Sequence, residues 1–416
     1  MMAYGSAHLG KSLFWYAGEL LFAYFLTELG GLKPSQMAAA LALGFACSAL
    51  IDVLVGRGLR NFAGSARVAA QVQFIGAAVS SLALMLVLAT PWVGQEGRFV
   101  YAVTASVLFR LAFAFYDIPQ NALMAMATTD VVIRYRLASV RIWCSGLAML
   151  LIGAAIGPLI AGRQDAGSPS LLLGLALFCA AMGIGSAYAL ARVVRPEVPS
   201  TALSNEARAG ATPSHHQAVM ILMAVGFVAS LFTPLFGKLE PYFADQILGS
   251  ALWGGAIMIS MAVGVSAGQP VWSWWGLRSS RRYLMVMNAG VQMAGLGLFA
   301  LSGAIHPVAA LIGAFLFGVG NGGVGMALWA AFSEAVAGRP SRQITMAYGV
   351  FAAANKVGLA VGVVVLGAVL NGLPPDSAGG VTILHAMTLI PAVGAMMVLV
   401  LSLRLLRRHG PSDRIA

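Results

Sequence analysis

Twelve stretches of predominantly apolar residues, each about 20 residues or longer, recur along this chain, and that recurrence decides its fold class. A helix rises about 1.5 Å per residue, so ~20 apolar residues cross the ~30 Å hydrocarbon layer of a bilayer. Lipid offers no partner to backbone amides and carbonyls, and a helix is the element that satisfies them within one segment. The runs begin near Ser12, Ser35, Val68, Phe99, Ser139, Leu171, Gln217, Ala251, Leu284, Ala309, Ile344 and Ile383. With 59% of 416 residues apolar and only 9% charged, the expected fold class is an all-α integral membrane protein with 12 transmembrane helices.

A formal net charge of +11 would suggest nucleic-acid binding in a soluble protein. Here the basic residues lie in short loops between apolar runs, where they set topology, so no nucleic-acid partner is expected. Even-numbered connections carry Arg57, Arg60 and Arg67; Arg134, Arg136 and Arg141, the last just inside the fifth helix; Arg192, Arg195 and Arg208; Arg278, Arg281 and Arg282; and Arg339 and Arg342. The tail adds Arg404, Arg407, Arg408 and Arg414, whereas the odd connections offer only Lys33, Arg98 and Arg163. Both termini are therefore expected on the cytoplasmic side of a bacterial-type cytoplasmic (inner) membrane. The first run follows Lys11, is too long for a signal-peptide core and lacks a small-residue cleavage site, so it is expected to remain as a helix. Cys47, Cys144 and Cys179 fall within runs and are read as small packing residues.

The longest polar interruption, rich in Pro, Ser, Ala and Thr, divides the chain. The expected organisation is an N-terminal six-helix bundle over 1–192, a cytoplasmic linker over 193–216, a C-terminal six-helix bundle over 217–403 and a basic cytoplasmic tail over 404–416. The halves echo each other: Gly58-Leu59-Arg60 follows the second span and Gly276-Leu277-Arg278 the eighth. Such duplication suits a transporter whose halves rock about a site near the midplane.

Asp52, Asp117 and Lys356 lie inside membrane-length runs. Each costs roughly 2.5–3.5 kcal/mol to insert, and residues of this kind usually line a pathway for substrate or ions. Asp117 stands two residues before Pro119, whose missing amide hydrogen frees a carbonyl one turn earlier. A carboxylate beside loosened backbone is suited to hydroxyl donors of a polar solute.

The stretch FYDIPQNALMAMATTDVVIRYRLASVR, Phe115 to Arg141, resembles the signature of the glycoside-pentoside-hexuronide:cation symporter family, melibiose-carrier-like members of the major facilitator superfamily. Asp117-Ile118-Pro119, Asn121-Ala122-Leu123, Asp130, Arg134, Arg136, Leu137, Ser139 and Arg141 fall at that family's spacing. FLTELGGL from Phe25, LIDVLVG from Leu50, and Gly349 to Gly362 with Asn355-Lys356 extend the resemblance more thinly to the first, second and eleventh helices. The resemblance implies a major facilitator fold in two six-helix halves and a sugar contact at Asp117. It also implies a cation site at Asp52, where Ser48 stands in place of a second acid. A coupling ion, H+ or Na+, is implied, with no other cofactor.

Departures from the pattern qualify the substrate. The family's first-helix aspartate is matched by Ser12, beside a retained Lys11, and its fourth-helix aromatic by Asn121. Glu19, two turns beyond Ser12, is a candidate replacement for the missing charge. Arg110, seven residues before Asp117 and on the same helix face, suggests an anionic group on the substrate, with an interfacial arginine as the alternative. Lys356 is read as balancing Asp52 or Asp117 across a central cavity. Arg141 is read as a gating or substrate contact rather than a headgroup anchor. Asp130, Arg134, Arg136, Glu334 and Arg342 are assigned to a cytoplasmic gate, Glu334 pairing with Arg339 or Arg342. Lys238 and Glu240, late in the seventh span, are either an outward gate or interfacial residues.

Gly318-Val319-Gly320-Asn321-Gly322-Gly323 satisfies G-x-G-x-x-G, but no strand precedes it, and close helix packing is the better account. His215-His216 lack further ligands at metal spacing, so no metal site is assigned. The sequence reads as a secondary active transporter, a monomer among membrane lipids, moving a small polar or amphipathic solute by cation-coupled symport and alternating access. The alternatives are proton-driven efflux of a drug-like, organic-anion or lipid-like compound and a non-transporting receptor or assembly factor. No enzymatic nucleophile, base or metal cluster is visible at useful spacing, and no enzyme is expected.

Overall fold

The computed structural model describes residues 1–17, 34–62, 65–128, 130–161, 168–194, 213–279, 281–302, 306–337, 339–371 and 378–407. Thirteen α-helices run through them: α1 (Met2–Tyr16), α2 (Pro34–Phe62), α3 (Ala66–Leu88), α4 (Gln95–Met126), α5 (Val131–Ala161), α6 (Ser168–Val193), α7 (Pro213–Phe232), α8 (Pro234–Phe243), α9 (Ala251–Gly276), α10 (Arg281–Ser302), α11 (Pro307–Val336), α12 (Ser341–Asn371) and α13 (Ala378–Arg407). Ten of the described helical segments are long and apolar enough to cross a membrane. Counting α7 and α8 as one span, the described helices fall at eleven of the twelve expected spans, and of the first expected span only the start, 12–17, lies within the described residues.

Three boundaries differ from the hydropathy reading. Helix α1 is already formed at Met2, ten residues ahead of Ser12, because His8 and Lys11 are accommodated in a protein interior and not in lipid. Helix α5 starts at Val131, so Arg134 and Arg136 stand on a helix and not in a loop. Asp130 caps it, its Oδ1 accepting from the amides of Val132 at 2.7 Å and Ile133 at 3.3 Å. The seventh span is discontinuous. It breaks at Thr233 because Pro234 brings no amide hydrogen, and it ends in a π-helical turn, Ala244–Leu248, closed by a left-handed Gly249.

The chain forms two compact units. The first comprises Met1–Thr129, Leu147–Ala207 and Val336–Ala353. Within it α3 packs along α4 and α6, α1 along α6, and α2 along α4. Leu13 and Phe14 of α1 meet Leu84 of α3, Phe113 and Tyr116 of α4, Ile152 of α5 and Cys179 of α6 in one cluster. Phe14 meets Tyr116 edge to face, ring centroids 6.0 Å apart. Lipid tails are as apolar as these side chains, so packing and hydrogen bonds, more than exclusion of water, hold such helices together.

The second unit comprises Asp130–Gly146, Arg208–Ala335 and Ala354–Ala416. Helix α13 packs on α7, α8 and α10. Phe236 and Phe243 of α8, Phe299 of α10 and Phe317 of α11 form its aromatic cluster, Phe236 stacked on Phe317 with centroids 4.6 Å apart and edge-on to Phe299. The glycine-rich run of α11 serves helix approach: Gly318 lies against the carbonyl of Met261 on α9, and Gly322 faces that of Val265, where a Cβ would come within 2.8 Å. Gly264 on α9 lies reciprocally against the carbonyl of Phe315.

Candidate functional site

Lys11, Asp117 and Asn121 come together inside the first unit. Asp117 and Asn121 are one turn apart on α4 and share a face. Asn121 donates from Nδ2 to Asp117 Oδ1 at 2.9 Å. From α1 the Lys11 ammonium reaches Asp117 Oδ1 at 2.7 Å and Asn121 Oδ1 at 2.5 Å. The three side chains thus close a ring in which the asparagine supports both ends of an ion pair. Lys11 keeps 4% of its side-chain exposure and Asp117 14%, so the carboxylate is the more exposed end of the pair.

The neighbouring helices fix this ring. The Tyr116 hydroxyl donates to the carbonyls of Gly183 at 3.3 Å and Ala7 at 3.5 Å, tying α4 to α6 and α1 one residue before the aspartate. Gln73 of α3 donates to the Ala187 carbonyl on α6 at 2.8 Å. Tyr116, Gln73, His8 and a fully buried Gln120 escaped the sequence reading. The signal for His8 was available, since it stands three residues before Lys11 on the same helical face.

Ser48 and Asp52 lie one turn apart on α2, both fully buried. The Asp52 carbonyl lies 2.8 Å from where a Cβ on Gly349 would sit, at a close crossing of α2 with the first half of α12. Arg110 packs against α2, its guanidinium 4.5 Å from the centre of the Phe45 ring. Gly44 makes room for it, since a Cβ there would come within 2.9 Å of Arg110 Nε. Glu19 lies outside the described residues.

In the second unit Lys356 is buried on α12. Arg141, also buried, sets its guanidinium carbon over the Trp329 ring, 3.5 Å from the centroid. That cation–π contact is worth about 2 kcal/mol when desolvated. Tyr135 donates to the Trp272 carbonyl at 2.8 Å and Ser139 to that of Gln269 at 3.4 Å, fastening the first half of α5 to α9. Arg134 is buried beside them, while Asp130 and Arg136 are exposed. Glu334 is half-buried near the end of α11 and Arg342 exposed in the first turn of α12. Glu240 is buried on α8, its carboxylate against Gly254 of α9. Among the described residues no group of three or more His, Cys, Asp or Glu could hold a metal ion.

Known proteins share this architecture. A bacterial homologue of the iron transporter ferroportin, solved in an outward-facing state with soaked iron, superposes with a TM-score of 0.72 at 12% identity, covering 97% of this chain and 98% of that one. The human organic anion transporter MFSD10 (TETRAN) superposes with a TM-score of 0.64 at 14% identity, covering 97% and 98%. At such identities the likeness concerns the fold alone. In sequence, the chain is 26% identical over 169 residues to the putative glycoside/cation symporter YagG of Escherichia coli (strain K12), 39% of this chain and 36% of that protein. It is 22% identical over 161 residues to the uncharacterized symporter YjmB of Bacillus subtilis (strain 168), 38% and 35% of the respective lengths. The chain thus spans just over a third of the length of either relative. The model of the MFS/sugar transport protein family matches residues 3–408. A match of that extent, over a chain with the helices and buried charges described above, makes this protein a member of the MFS/sugar transport family.

Proposed function

We propose that this transporter carries a small polar solute by cation-coupled symport and alternating access, with Lys11, Asp117 and Asn121 as the solute site. The observation that carries the reading is the buried ring itself. Within the bilayer an ion pair costs several kcal/mol of desolvation per charge and adds little net stability, so function is the stronger reason to keep one. A hydroxyl-bearing solute can exchange hydrogen bonds with Asp117 and Asn121 while Lys11 holds the carboxylate in place. The name of one relative, a putative glycoside/cation symporter, supports coupling to a cation. Ser48 and Asp52 supply oxygen on α2 for that ion. Membership of a transport family places the protein outside the enzymes. We further assign it, as a monomer, to a bacterial cytoplasmic membrane with both termini inside, since the arginine-rich connections are the even-numbered ones.

The test is Asp117→Asn in purified protein reconstituted into liposomes. Uptake of the solute that stabilises the wild-type protein is expected to fall at least tenfold, about 1.4 kcal/mol or more of lost binding. Unchanged uptake and affinity would remove the site assignment.

A further inference from the structure

Where α9 ends and α10 begins, aromatic and basic side chains gather on the outside of the second unit. Val271, Trp274, Trp275 and Arg278 recur at the helical spacing i, i+3, i+4 and i+7, so they follow one face of α9 into the turn beyond it. All four are exposed, Trp274 at 58%. The inner face of the same turn is committed to packing. Trp272 is buried, donates from Nε1 to the Val319 carbonyl of α11 at 2.9 Å, and stacks on Trp275 with ring centroids 6.4 Å apart. Its own carbonyl receives the Tyr135 hydroxyl of α5 at 2.8 Å.

Arg278 is held at the end of the outer stripe. Its guanidinium lies over the Trp274 ring, 4.2 Å from the centroid, and Nη1 donates to the Trp274 carbonyl at 3.1 Å. That bond uses one of the five N–H donors of the guanidinium. Arg281 and Arg282 follow in the first turn of α10, next to an exposed Tyr283. From Asp245 to Glu334 the chain has no acidic residue between, and its basic residues over that length are these three arginines. Membrane topology asks only for positive charge near a helix end. It does not account for a guanidinium fixed on an outward tryptophan at the end of an apolar stripe. A phospholipid has the complementary form, with acyl chains for the stripe and a negative phosphate for the arginines, and tryptophan and tyrosine favour the depth at which the two meet.

We propose that this surface binds one anionic phospholipid, its phosphate held by Arg278 together with Arg281 and Arg282 and its chains lying along Val271, Trp274 and Trp275. The bound lipid braces the end of α9 to which Tyr135 fastens α5, and so stabilises the folded protein.

The experiment measures the melting temperature of the full-length protein in detergent against added phosphatidylglycerol, against phosphatidylcholine with the same chains, and against glycerol 3-phosphate as a soluble headgroup. Phosphatidylglycerol is expected to raise the melting temperature where the other two do not, and the rise should shrink at about 0.5 M salt. Arg278→Gln should raise the half-saturating phosphatidylglycerol concentration about fivefold, and the triple variant with Arg281→Gln and Arg282→Gln should abolish the shift. Trp274→Ala should also weaken it, since it removes both the ring beneath the guanidinium and part of the wall for the chains. Arg192→Gln is the control: it removes an exposed arginine that also rests on an aromatic ring, Tyr188 of α6, and should leave the titration unchanged. Should Arg278→Gln fail to fold, Arg281→Gln and Arg282→Gln, taken singly, carry the same test. An equal rise with phosphatidylcholine would mean lipid contact without headgroup selection, and an equal rise with glycerol 3-phosphate a site for soluble anions. A loss in Arg192→Gln as large as in Arg278→Gln would mean diffuse attraction to basic charge, and each of these three results overturns the proposal.

Discussion

A lysine gripped by an aspartate and an asparagine inside a bilayer is costly to break and cheap to replace whole. Removing Lys11 alone strands an ionised Asp117 in a buried position, whereas removing both charges strands nothing. Lys11→Met is therefore expected to lose about 3–5 kcal/mol of stability, and the double variant Lys11→Met with Asp117→Leu to recover most of that loss without recovering solute binding. Denaturant unfolding of the single and double variants measures the cycle, and a double variant no more stable than Lys11→Met would contradict it. Lys11 and Asp117 were each legible in the sequence as charges in or beside apolar runs. Their union was not, because 106 residues separate them and no local periodicity relates α1 to α4. Asn121 illustrates the same gap: read as a signature residue standing where the family has an aromatic, it is the residue that clamps the pair. Arg110 rests on Phe45 in a space opened by Gly44, a contact across two helices that no local spacing in the sequence announces.

At the scale of helices, the crossing of α9 and α11 rests on small residues that face each other's backbone. Gly264 lies against the carbonyl of Phe315, and Gly318 against that of Met261. Gly255, on the same helix as Gly264, faces open space. Gly264→Ala should drive the two helices apart at a cost of about 1–3 kcal/mol. Gly255→Ala should instead be neutral or stabilising by up to about 1 kcal/mol, because alanine is the better helix former. Melting temperatures of the two variants isolate the crossing from propensity. The glycine run on α11 was legible as a packing surface, since its dinucleotide reading failed for want of a strand. Its partner on α9 was not, for an isolated glycine in an apolar run carries no address. The break at Thr233 was written in the sequence as Thr-Pro, yet hydropathy averaged over the window concealed it.

Across the whole molecule, two helices belong to both compact units. Helix α5 passes from the second unit to the first between Gly146 and Leu147, and α12 from the first to the second between Ala353 and Ala354. They are the fifth and eleventh of the twelve expected spans. Any motion of one unit against the other must bend these helices or unseat one half of each. For α12 the seated half is held where its Gly349 meets Gly56 of α2, a Cβ on Gly349 coming within 2.9 Å of the Gly56 Cα. Thr345, one turn earlier, is fully buried there. A valine at position 349 has no room at this crossing and should bias α12 toward its unseated position. With Cys47, Cys144 and Cys179 replaced by alanine, a cysteine introduced at Thr345 reports the change through its labelling rate with a membrane-impermeant maleimide. Labelling is expected to be slow with Gly349 and roughly tenfold faster with Gly349→Val, which corresponds to a population shift of about 1.4 kcal/mol. Equal labelling rates would mean that the first half of α12 stays on α2 throughout the transport cycle, and the bending would then have to be taken up beyond Ala353.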